Sequence, residues 1–507
     1  MERNLRSNQI LIYLYIIITS GYLIWRTVFS LNMDQPIASG LFLAADIITG
    51  VSSIIFVFSF LKGEKVFSEP VLRHKLTVDV FIPTFNEDVS ILRETISHCV
   101  GMDYQHKTYV LDDGNREEVR VLAEKLGAQY ISRTVNEDAK AGNLNNALGK
   151  TSGNIIAVFD ADFVPEKNFI VKLIGYFNDD KVAIVQSPQF YYNSNSFQHR
   201  KLFGKKTYND QDTFLHMVLP ARADWNAAYW IGTNALMRRE AILSIGGFPT
   251  ESVTEDILTS IYIHSKGWNS VYVDEPLAFG LAPTNISQYY TQRLRWAKGA
   301  FQIFRKKNPL FVNGLSYVQR MFYFSSLLHF FEGAIKLVYF VFPALFFIFK
   351  VVPINTSPYV IINMVIYFIM GRILISVITR DKTNIFYDEI YAVIRSFIYL
   401  MGFSALFTNK KISFAVTPKN NESNIGIINF FGPLSICTLN FVVLVSATIN
   451  PSIILKESIL NLVCFAWCIS LLIKSSIACY YCFSTPYDSG LTINDQIRSN
   501  KSLIKRT

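Results

Sequence analysis

The sequence is poor in charged residues and in cysteine. Asp, Glu, Lys and Arg make up 17% of its 507 residues, and six cysteines occur. A chain with so little charge is not intrinsically disordered, and so few cysteines exclude a small disulfide-stabilised domain. All but one cysteine lie within or beside C-terminal apolar segments, at spacings unlike those of a zinc site, and we expect buried thiols there. These are Cys437, Cys464, Cys468, Cys479 and Cys482.

Apolar residues are abundant instead. Hydrophobic residues reach 50% and aromatics 14%, which indicates an integral membrane protein. Windows of about 20 apolar residues predict about six spans. The predicted spans are Ile10–Phe29, Ala38–Leu61, Ala334–Val352, Tyr359–Ile378, Ile425–Ile449 and Ser458–Ile477.

Basic residues indicate how the spans are oriented. The connections Leu31–Pro36 and Pro353–Pro358 contain no Lys or Arg, whereas residues 62–333, 379–424 and the tail from Tyr481 onward are basic. This alternation predicts a multi-pass plasma-membrane protein with both termini and the large domain in the cytosol. The net charge of +9 thus reflects membrane flanks, and we expect a lipid bilayer and no nucleic acid as partner.

Two further stretches, Ile286–Phe304 and Tyr391–Phe407, mix aromatic and basic residues, as helices lying in the membrane interface do, and Tyr317–Phe331 is a third candidate. We therefore divide the chain into four parts. These are two transmembrane helices in 1–61, a cytosolic domain ending in an interfacial helix in 62–306, a transmembrane channel region in 307–480, and a short cytosolic tail in 481–507.

From Thr77 onward, short β-branched runs alternate with polar helical windows, which predicts βαβ units and a mostly parallel sheet. In such sheets ligands bind at the carboxyl ends of the strands. The alternating segments are Val78–Pro83, Asp88–Cys99, Thr108–Leu111, Glu117–Leu126 and Asn154–Phe159.

Carboxylates follow two of these strands. Asp112 and Asp113 precede Gly114, a pattern that also fits a simple tight turn. Asp160 and Asp162 follow a buried strand, where two carboxylates at i and i+2 can hold a hard divalent cation. The alternative interpretation of the second pair is solvated loop acids or a helix cap before Pro165.

Two later segments add chemistry. Thr254, Glu255 and Asp256 precede an apolar-periodic stretch, where a carboxylate at a helix N-terminus is placed to act as general base, although Thr254 could simply cap the helix. In Gln292–Trp296, the Gln, the second Arg and the Trp share one helix face. Guanidinium suits a pyrophosphate and indole suits a sugar ring, but a snorkelling Arg and an interface Trp would have the same sequence.

Together and in this order, these segments resemble the processive family 2 glycosyltransferases of the cellulose synthase group, over about residues 75–425. Further matches lie before, between and after them. They are Pro83–Glu87, Ala139–Asn145, Val185–Pro188, Trp225–Ala227 with Gly232–Thr233, and Phe414–Lys419. The last is similar to the Phe-x-Val-Thr-x-Lys gating loop of cellulose synthases, here about residues 411–424, and favours a glucose polymer.

The resemblance implies a GT-A-like nucleotide-sugar-binding α/β domain inserted into a transmembrane helical bundle. It implies donor binding by Thr84, Asn86, Glu87, Asp112, Asp113, Lys140, Asp160, Gln292, Arg295, Thr417 and Lys419. Asp160 and Asp162 would bind the metal, Mg²⁺ or alternatively Mn²⁺. Asp256, beside Thr254 and Glu255, would be the general base. The acceptor would contact Trp225, Gly232, Thr233 and Trp296.

The implied reaction is an inverting displacement on UDP-glucose, with the growing glucan passing through the transmembrane channel to form a capsular or extracellular polysaccharide. Two residues depart from the family: Gln189 stands where many relatives have His, and Ile231 replaces a Cys before Gly232. No C-terminal cyclic-di-GMP-binding pattern is present, and we expect no activation by that messenger. Rival functions are a poly-N-acetylglucosamine-type synthase, a non-processive lipid-linked sugar transferase, and a transporter or receptor that only binds nucleotide.

Overall fold

The structure is a computed structural model. It describes residues 2–62, 70–193, 196–197, 201–202, 205–206, 209–380, 383–408, 428–449, 459–483, 493, 495 and 497. The chain divides into two compact units. One consists of Met1–Gly63, Ser325–Phe403 and Asn424–Thr485, and the other of Glu64–Phe324, Ser404–Ser423 and Pro486–Thr507.

The strands are β1 (Val78–Thr84), β2 (His106–Asp112), β3 (Gln129–Ser132), β4 (Ile155–Val158), β5 (Phe163–Pro165), β6 (Val182–Gln186), β7 (Phe190–Tyr191), β8 (Lys201–Leu202), β9 (Lys205–Lys206), β10 (Ala235–Arg238), β11 (Asn269–Tyr272) and β12 (Ala278–Gly280). The helices are α1 (Glu2–Phe29), α2 (Pro36–Ser59), α3 (Val89–Val100), α4 (Glu117–Lys125), α5 (Ala139–Lys150), α6 (Phe169–Ile174), α7 (Leu219–Ala223), α8 (Arg239–Ser244), α9 (Glu255–Ser265), α10 (Ile286–Lys306), α11 (Tyr317–Leu328), α12 (Glu332–Phe349), α13 (Pro358–Ile378), α14 (Ile385–Gly402), α15 (Ser404–Phe407), α16 (Ile428–Ile449) and α17 (Ile459–Phe483).

The second unit is built on a sheet with the strand order β11-β6-β10-β4-β1-β2-β3 in the described residues. β1 pairs in parallel with β2 and β4, and β10 is antiparallel to its neighbours. All seven residues of β1 are buried, because helices cover both faces of the sheet. Leu92 and Val119 pack on one face, and Leu144 and Ile263 belong to the core of the other. The predicted α/β sheet is confirmed.

A smaller, separate sheet has the strand order β5-β12-β7 in the described residues. β5 begins directly after Asp162, whose carbonyl oxygen accepts a hydrogen bond from the Leu281 N–H just after β12. Val164 and Phe279 form an apolar cluster on this sheet, and Ile497 from the C-terminal segment packs into that cluster. The small sheet therefore connects the second carboxylate pair to the segment that leads into α10.

Seven helices in the described part of the chain are long and apolar enough to cross a membrane. They are Asn8–Phe29, Pro36–Lys62, Tyr317–Phe349, Pro358–Ile378, Ile385–Phe407, Phe430–Ile449 and Ile459–Phe483. The number exceeds the predicted six because Ile385–Phe407, which contains the predicted interfacial helix Tyr391–Phe407, meets the same criterion. The multi-pass membrane character is confirmed, whereas the interfacial positions and the domain boundaries stay predictions. The six cysteines are all described and form no disulfide.

The two connections without Lys or Arg meet in the first unit. Leu31 and Ile354 form an antiparallel β-bridge. Beside it, the Asn32 side-chain Nδ2 donates to the Val352 carbonyl oxygen at 2.8 Å. The two connections therefore lie at the same end of the helices, as the charge alternation predicts.

A buried ion pair joins three helices of this unit. Arg26 on α1 is fully buried, and its Nε donates to the Asp46 carboxylate on α2 at 2.9 Å. The Tyr339 hydroxyl on α12 donates to the other oxygen of Asp46 at 2.8 Å. A buried guanidinium keeps its charge only at a high desolvation cost unless a carboxylate pairs with it. Asp46 is thus the acceptor on which the packing of these helices depends.

Asp46→Ala should strongly destabilise this unit, because it leaves the buried Arg26 guanidinium without its carboxylate. We expect a loss of about 3–5 kcal/mol, measured as a lower unfolding temperature in detergent. The double variant Arg26→Met/Asp46→Leu should recover most of that loss, because it removes both charges. An Asp46→Ala protein that melts like the wild type would contradict this assignment.

Candidate active site

The acidic residues selected from the sequence follow strands that end at one edge of the large sheet. Thr84 and Asp112 are the last residues of the paired strands β1 and β2, and Asp160 follows β4 on the other side of β1. The carboxyl ends of parallel strands meet at the same edge, which explains why residues far apart in sequence converge there.

Lys140, in the first turn of α5, links three segments of this edge. Its Nζ donates to Asp160 Oδ1 at 2.5 Å and to the Gly232 carbonyl oxygen at 2.7 Å, and lies 3.8 Å from Glu255 Oε1. Burial alone would lower the pKa of Lys140, but the negative charges of Asp160 and Glu255 outweigh it and raise that pKa. Lys140 therefore stays protonated as the central cation.

Gly232 allows the acid and the cation to approach each other. Its φ of +90° is a conformation that favours glycine, and a Cβ at this position would lie 3.3 Å from Asp256 Oδ2 and 3.6 Å from Lys140 Nζ. The adjacent Thr233 accepts a hydrogen bond from the Asp160 N–H through Oγ1 at 3.0 Å. The Gly232–Thr233 segment thus positions both Lys140 and Asp160.

Asp256 lies in the first turn of α9, where its Oδ1 accepts the Ile257 N–H at 2.8 Å. Burial, with the negative charge of Glu255 as second cause, raises the pKa of Asp256 to about 7. Lys140 and Arg295 act in the opposite direction. A carboxylate with this pKa can accept a proton near neutral pH.

Thr254 occupies the N-cap position of α9 but makes no side-chain capping bond. Its hydroxyl is instead 3.0 Å from the Ser252 hydroxyl. A Cβ on Gly299 of α10 would lie 2.5 Å from Thr254 Oγ1, so Thr254 packs directly on that helix. The simple capping interpretation is therefore wrong, and Thr254 connects α9 to α10.

Asp112 is fully buried and its carboxylate is already occupied by protein groups. Oδ1 accepts the Gly114 N–H at 3.0 Å, and Oδ2 accepts the Arg116 N–H at 2.7 Å and the Tyr130 hydroxyl at 3.1 Å. The Arg116 guanidinium also contacts Oδ1 and bonds Thr84 Oγ1 at 2.9 Å. These contacts favour the turn-stabilising interpretation of Asp112, and its donor-binding role stays a prediction.

The neighbouring residues of the first strand end differ in exposure. Glu87 Oε2 accepts the Thr84 hydroxyl at 2.6 Å and the Phe85 N–H at 2.8 Å, which fixes the turn after β1. Asn86 is exposed. Asp113 is buried and forms a bidentate ion pair with Arg133. None of the sequence motifs indicated Arg133.

The helix α10 carries the next group. Gln292 has a buried side-chain oxygen that has no hydrogen-bond partner among the described residues. The Arg293 guanidinium lies 4.3 Å from the Trp296 ring centroid and is held by both Asp210 carboxylate oxygens at 2.8 Å. Arg293 thus packs against the indole. The positive charge of Arg295, by contrast, lowers the pKa of Asp256. Only the motif itself could have indicated Arg293, and nothing in the sequence pointed to Asp210.

The other positions singled out in the sequence include Trp225 and the two departures from the family. Trp225 packs against Phe322 of α11, with ring centroids 6.2 Å apart.

The two departures from the family contact each other: Gln189 Nε2 donates to the Ile231 carbonyl oxygen at 3.3 Å. The Tyr191 hydroxyl donates to Gln189 Oε1 at 2.7 Å. Gln189 therefore supports the chain just before Gly232. Thr417 and Lys419 lie outside the described residues.

Asp160 and Asp162 fit a hard divalent cation. Both side chains are partly exposed, and carboxylate oxygens are the ligands that such ions prefer. In the residues that the structure describes, no group of three or more Asp, Glu, His or Cys side chains could hold a metal by itself. A cation here would thus keep positions for the oxygens of a bound phosphate.

Comparisons with known proteins identify the family. The model of glycosyl transferase family 2 matches residues 79–246, and that of the cellulose synthase family matches residues 210–480, more than half of the chain. A UDP-forming cellulose synthase catalytic subunit of Pseudomonas fluorescens (strain SBW25) is 34% identical over 429 residues, 81% of this chain and 57% of that protein. Cellulose synthase 1 of Komagataeibacter xylinus is 36% identical over 349 residues, 68% of this chain and 22% of that protein.

The chain thus spans little more than half of the first relative and about a fifth of the second. Among solved structures, a mannosyltransferase from Pyrobaculum calidifontis in complex with GDP-Man and Mn²⁺ is similar with a TM-score of 0.54 and 18% identity, over 74% of this chain and 100% of that one. This likeness concerns the fold, and it confirms the expected GT-A-like architecture.

Asp112→Asn should destabilise the second unit by about 3 kcal/mol, because an amide nitrogen would replace an oxygen that accepts buried N–H donors. The matched control is Glu117→Gln, since Glu117 is exposed and pairs with the exposed Arg120. We expect the control to change stability by less than about 0.5 kcal/mol. Thermal unfolding in detergent measures both, and equal melting of the two variants would contradict the structural role of Asp112.

Proposed function

The chain belongs to the cellulose synthase family, and from this premise we propose that it is a membrane-embedded, processive, inverting β-glucan synthase using UDP-glucose. The product would be a capsular or extracellular polysaccharide that leaves through the transmembrane helices. Both termini and the second unit would face the cytosol, where the nucleotide sugar is found. The domain boundaries that we propose are those inferred from the sequence.

One observation carries this proposal: Asp256 and Lys140 face each other across Gly232. Inverting transfer requires a base that takes the proton of the acceptor hydroxyl as this oxygen attacks the anomeric carbon. Asp256, with its pKa raised to about 7, would accept that proton. Lys140 and Arg295 would offset the negative charge that develops on the UDP leaving group.

The donor would bind at the sheet edge. Asp160 and Asp162 would hold Mg²⁺ or Mn²⁺, which neutralises diphosphate charge when bound. The mannosyltransferase with the similar fold is in complex with Mn²⁺ and a nucleotide sugar, which supports a divalent metal. The buried Gln292 oxygen can only accept a hydrogen bond, and sugar hydroxyls can donate one. Trp296 would support a sugar ring of the acceptor.

The direct test uses protein purified in detergent with UDP-glucose and Mg²⁺, without cyclic-di-GMP. We expect UDP release together with a high-molecular-weight product that β-glucanases digest. Asp256→Asn should lower the rate about a thousandfold, because it removes the base while keeping the shape. The matched control Asp180→Asn, at an exposed position, should keep full activity.

Each alternative gives a different result. Release of UDP with single-sugar products would support a non-processive transferase. Polymer from UDP-N-acetylglucosamine but not from UDP-glucose would support a poly-N-acetylglucosamine-type synthase. Full activity of Asp256→Asn, or nucleotide binding without any transfer, would contradict the proposal. Digestion by linkage-specific glucanases then identifies the bond.

The pH profile gives a second prediction. Because Asp256 must be deprotonated to act as base, kcat/KM should fall about tenfold per pH unit below about pH 7 and level off above it. The groups that face Asp256 are Glu255, Lys140 and Arg295. Glu255→Gln should move the midpoint to lower pH, because it removes the negative charge that disfavours ionisation of Asp256. A profile that is flat from about pH 5.5 to about pH 8.5 would contradict this role.

A further inference from the structure

Arg133, directly after β3, binds the carboxylate of Asp113 with two hydrogen bonds. Nε donates to Oδ1 at 2.5 Å and Nη2 donates to Oδ2 at 2.7 Å. Both side chains are nearly buried, with 10% and 7% of their surface exposed. A buried bidentate pair has a fixed geometry, because guanidinium and carboxylate are both planar.

The same guanidinium also binds the loop that precedes α5. Nη1 donates to the Glu137 carbonyl oxygen at 2.6 Å, and Nη2 donates to the Ala139 carbonyl oxygen at 2.9 Å. From the loop side, Asn136 Nδ2 donates back to the Asp113 carbonyl oxygen at 2.5 Å. The Arg133 guanidinium thus connects the residue that follows β2 with this loop.

The loop needs such support because its backbone is strained. Asp138 and Ala139 have φ values of +63° and +45°, in the left-handed region that non-glycine residues rarely adopt. The loop also lies close to the helix that follows it: a Cβ on Gly142 would lie 2.1 Å from the Glu137 carbonyl oxygen and 2.6 Å from Arg133 Nη1. The bonds from Arg133 offset the cost of this conformation.

The loop leads into the first turn of α5, where Lys140 follows Ala139 and binds Asp160 and the Gly232 carbonyl oxygen. A displacement of the loop would therefore move the ammonium away from its carboxylate. Arg133 does not contact Asp160 in any described interaction, so any effect on the phosphate end of the site passes through the loop.

We propose that Arg133 is a positioning residue for the nucleoside diphosphate part of the donor. It couples the Asp113 end of the site to the Lys140 end by holding the segment 136–139, the loop and the first residue of α5, in its strained conformation. This inference rests on the proposed function. Lysine at position 133 could keep the charge next to Asp113, but it could not hold the carboxylate and both carbonyls in one plane.

The experiment measures UDP binding by calorimetry, in detergent with Mg²⁺, alongside steady-state kinetics. We expect Arg133→Gln to raise the Kd for UDP and the KM for UDP-glucose about tenfold, the effect of one or two lost buried hydrogen bonds. We expect kcat to fall as well, because the displaced Lys140 would offset less of the charge on the UDP leaving group. Arg133→Lys should show a similar rise. The matched control is Arg120→Gln, because Arg120 is half-exposed and pairs with Glu117.

The outcomes separate this inference from the proposed function. A wild-type protein that binds no UDP contradicts the proposed function, whereas wild-type binding with unchanged affinity in both Arg133 variants overturns the inference alone. If Arg133→Gln does not fold, Arg133→Lys decides by the same criterion. A folded variant with lower kcat and unchanged KM would also overturn it. In a double-mutant cycle, Asp113→Asn and Arg133→Gln should be non-additive for UDP affinity, since they break the same contact.

Discussion

The ammonium group of Lys140 is the charge on which the site depends. It lies among three acidic side chains from two parts of the chain: Asp160 after β4, and Glu255 and Asp256 at the start of α9. Without a cation at its centre, these like charges would repel one another. The glycine that faces Lys140 and Asp256 has the same purpose, because it lets opposite charges approach without a side chain between them.

Two features of the fold produce this arrangement. The parallel strands bring their ends to one edge, and a second set of polar contacts fixes the turns that follow them. Asp112 organises the turn after β2, and Glu87 organises the turn after β1. Arg133 does the same for the loop before α5. Side chains that resemble donor ligands in the sequence thus also build the scaffold, since a strand end at a ligand site must satisfy its own backbone groups first.

Much of the fold followed from local patterns. The strands β1, β2 and β4, the helix α9 and the apolar helices have periodicities or apolar runs of their own, and Asp160 and Asp256 lie directly beside them. Contacts between distant residues have no such signature. Asp210 and Arg293 lie 83 residues apart, and Asp113 and Arg133 lie 20 apart. At Thr254 a local pattern was misleading. The helix-start pattern suggested that its hydroxyl caps α9, but in the structure the hydroxyl bonds to Ser252. Composition also does not determine how deep a helix lies in the membrane. The composition of Tyr391–Phe407 therefore fits a membrane-spanning helix and an interfacial helix equally well.

The pair of Arg293 and Asp210 has a consequence for how the protein responds to ionic strength. Its side chains are 3% and 2% exposed, so dissolved ions cannot approach them, and salt screens mainly charges that water reaches. The exposed pair of Arg120 and Glu117, by contrast, is open to such screening. Because Arg293 lies against the Trp296 ring, we expect the orientation of that indole to be insensitive to the salt content of the surrounding solution. The ring therefore keeps the same orientation in dilute and in concentrated surroundings.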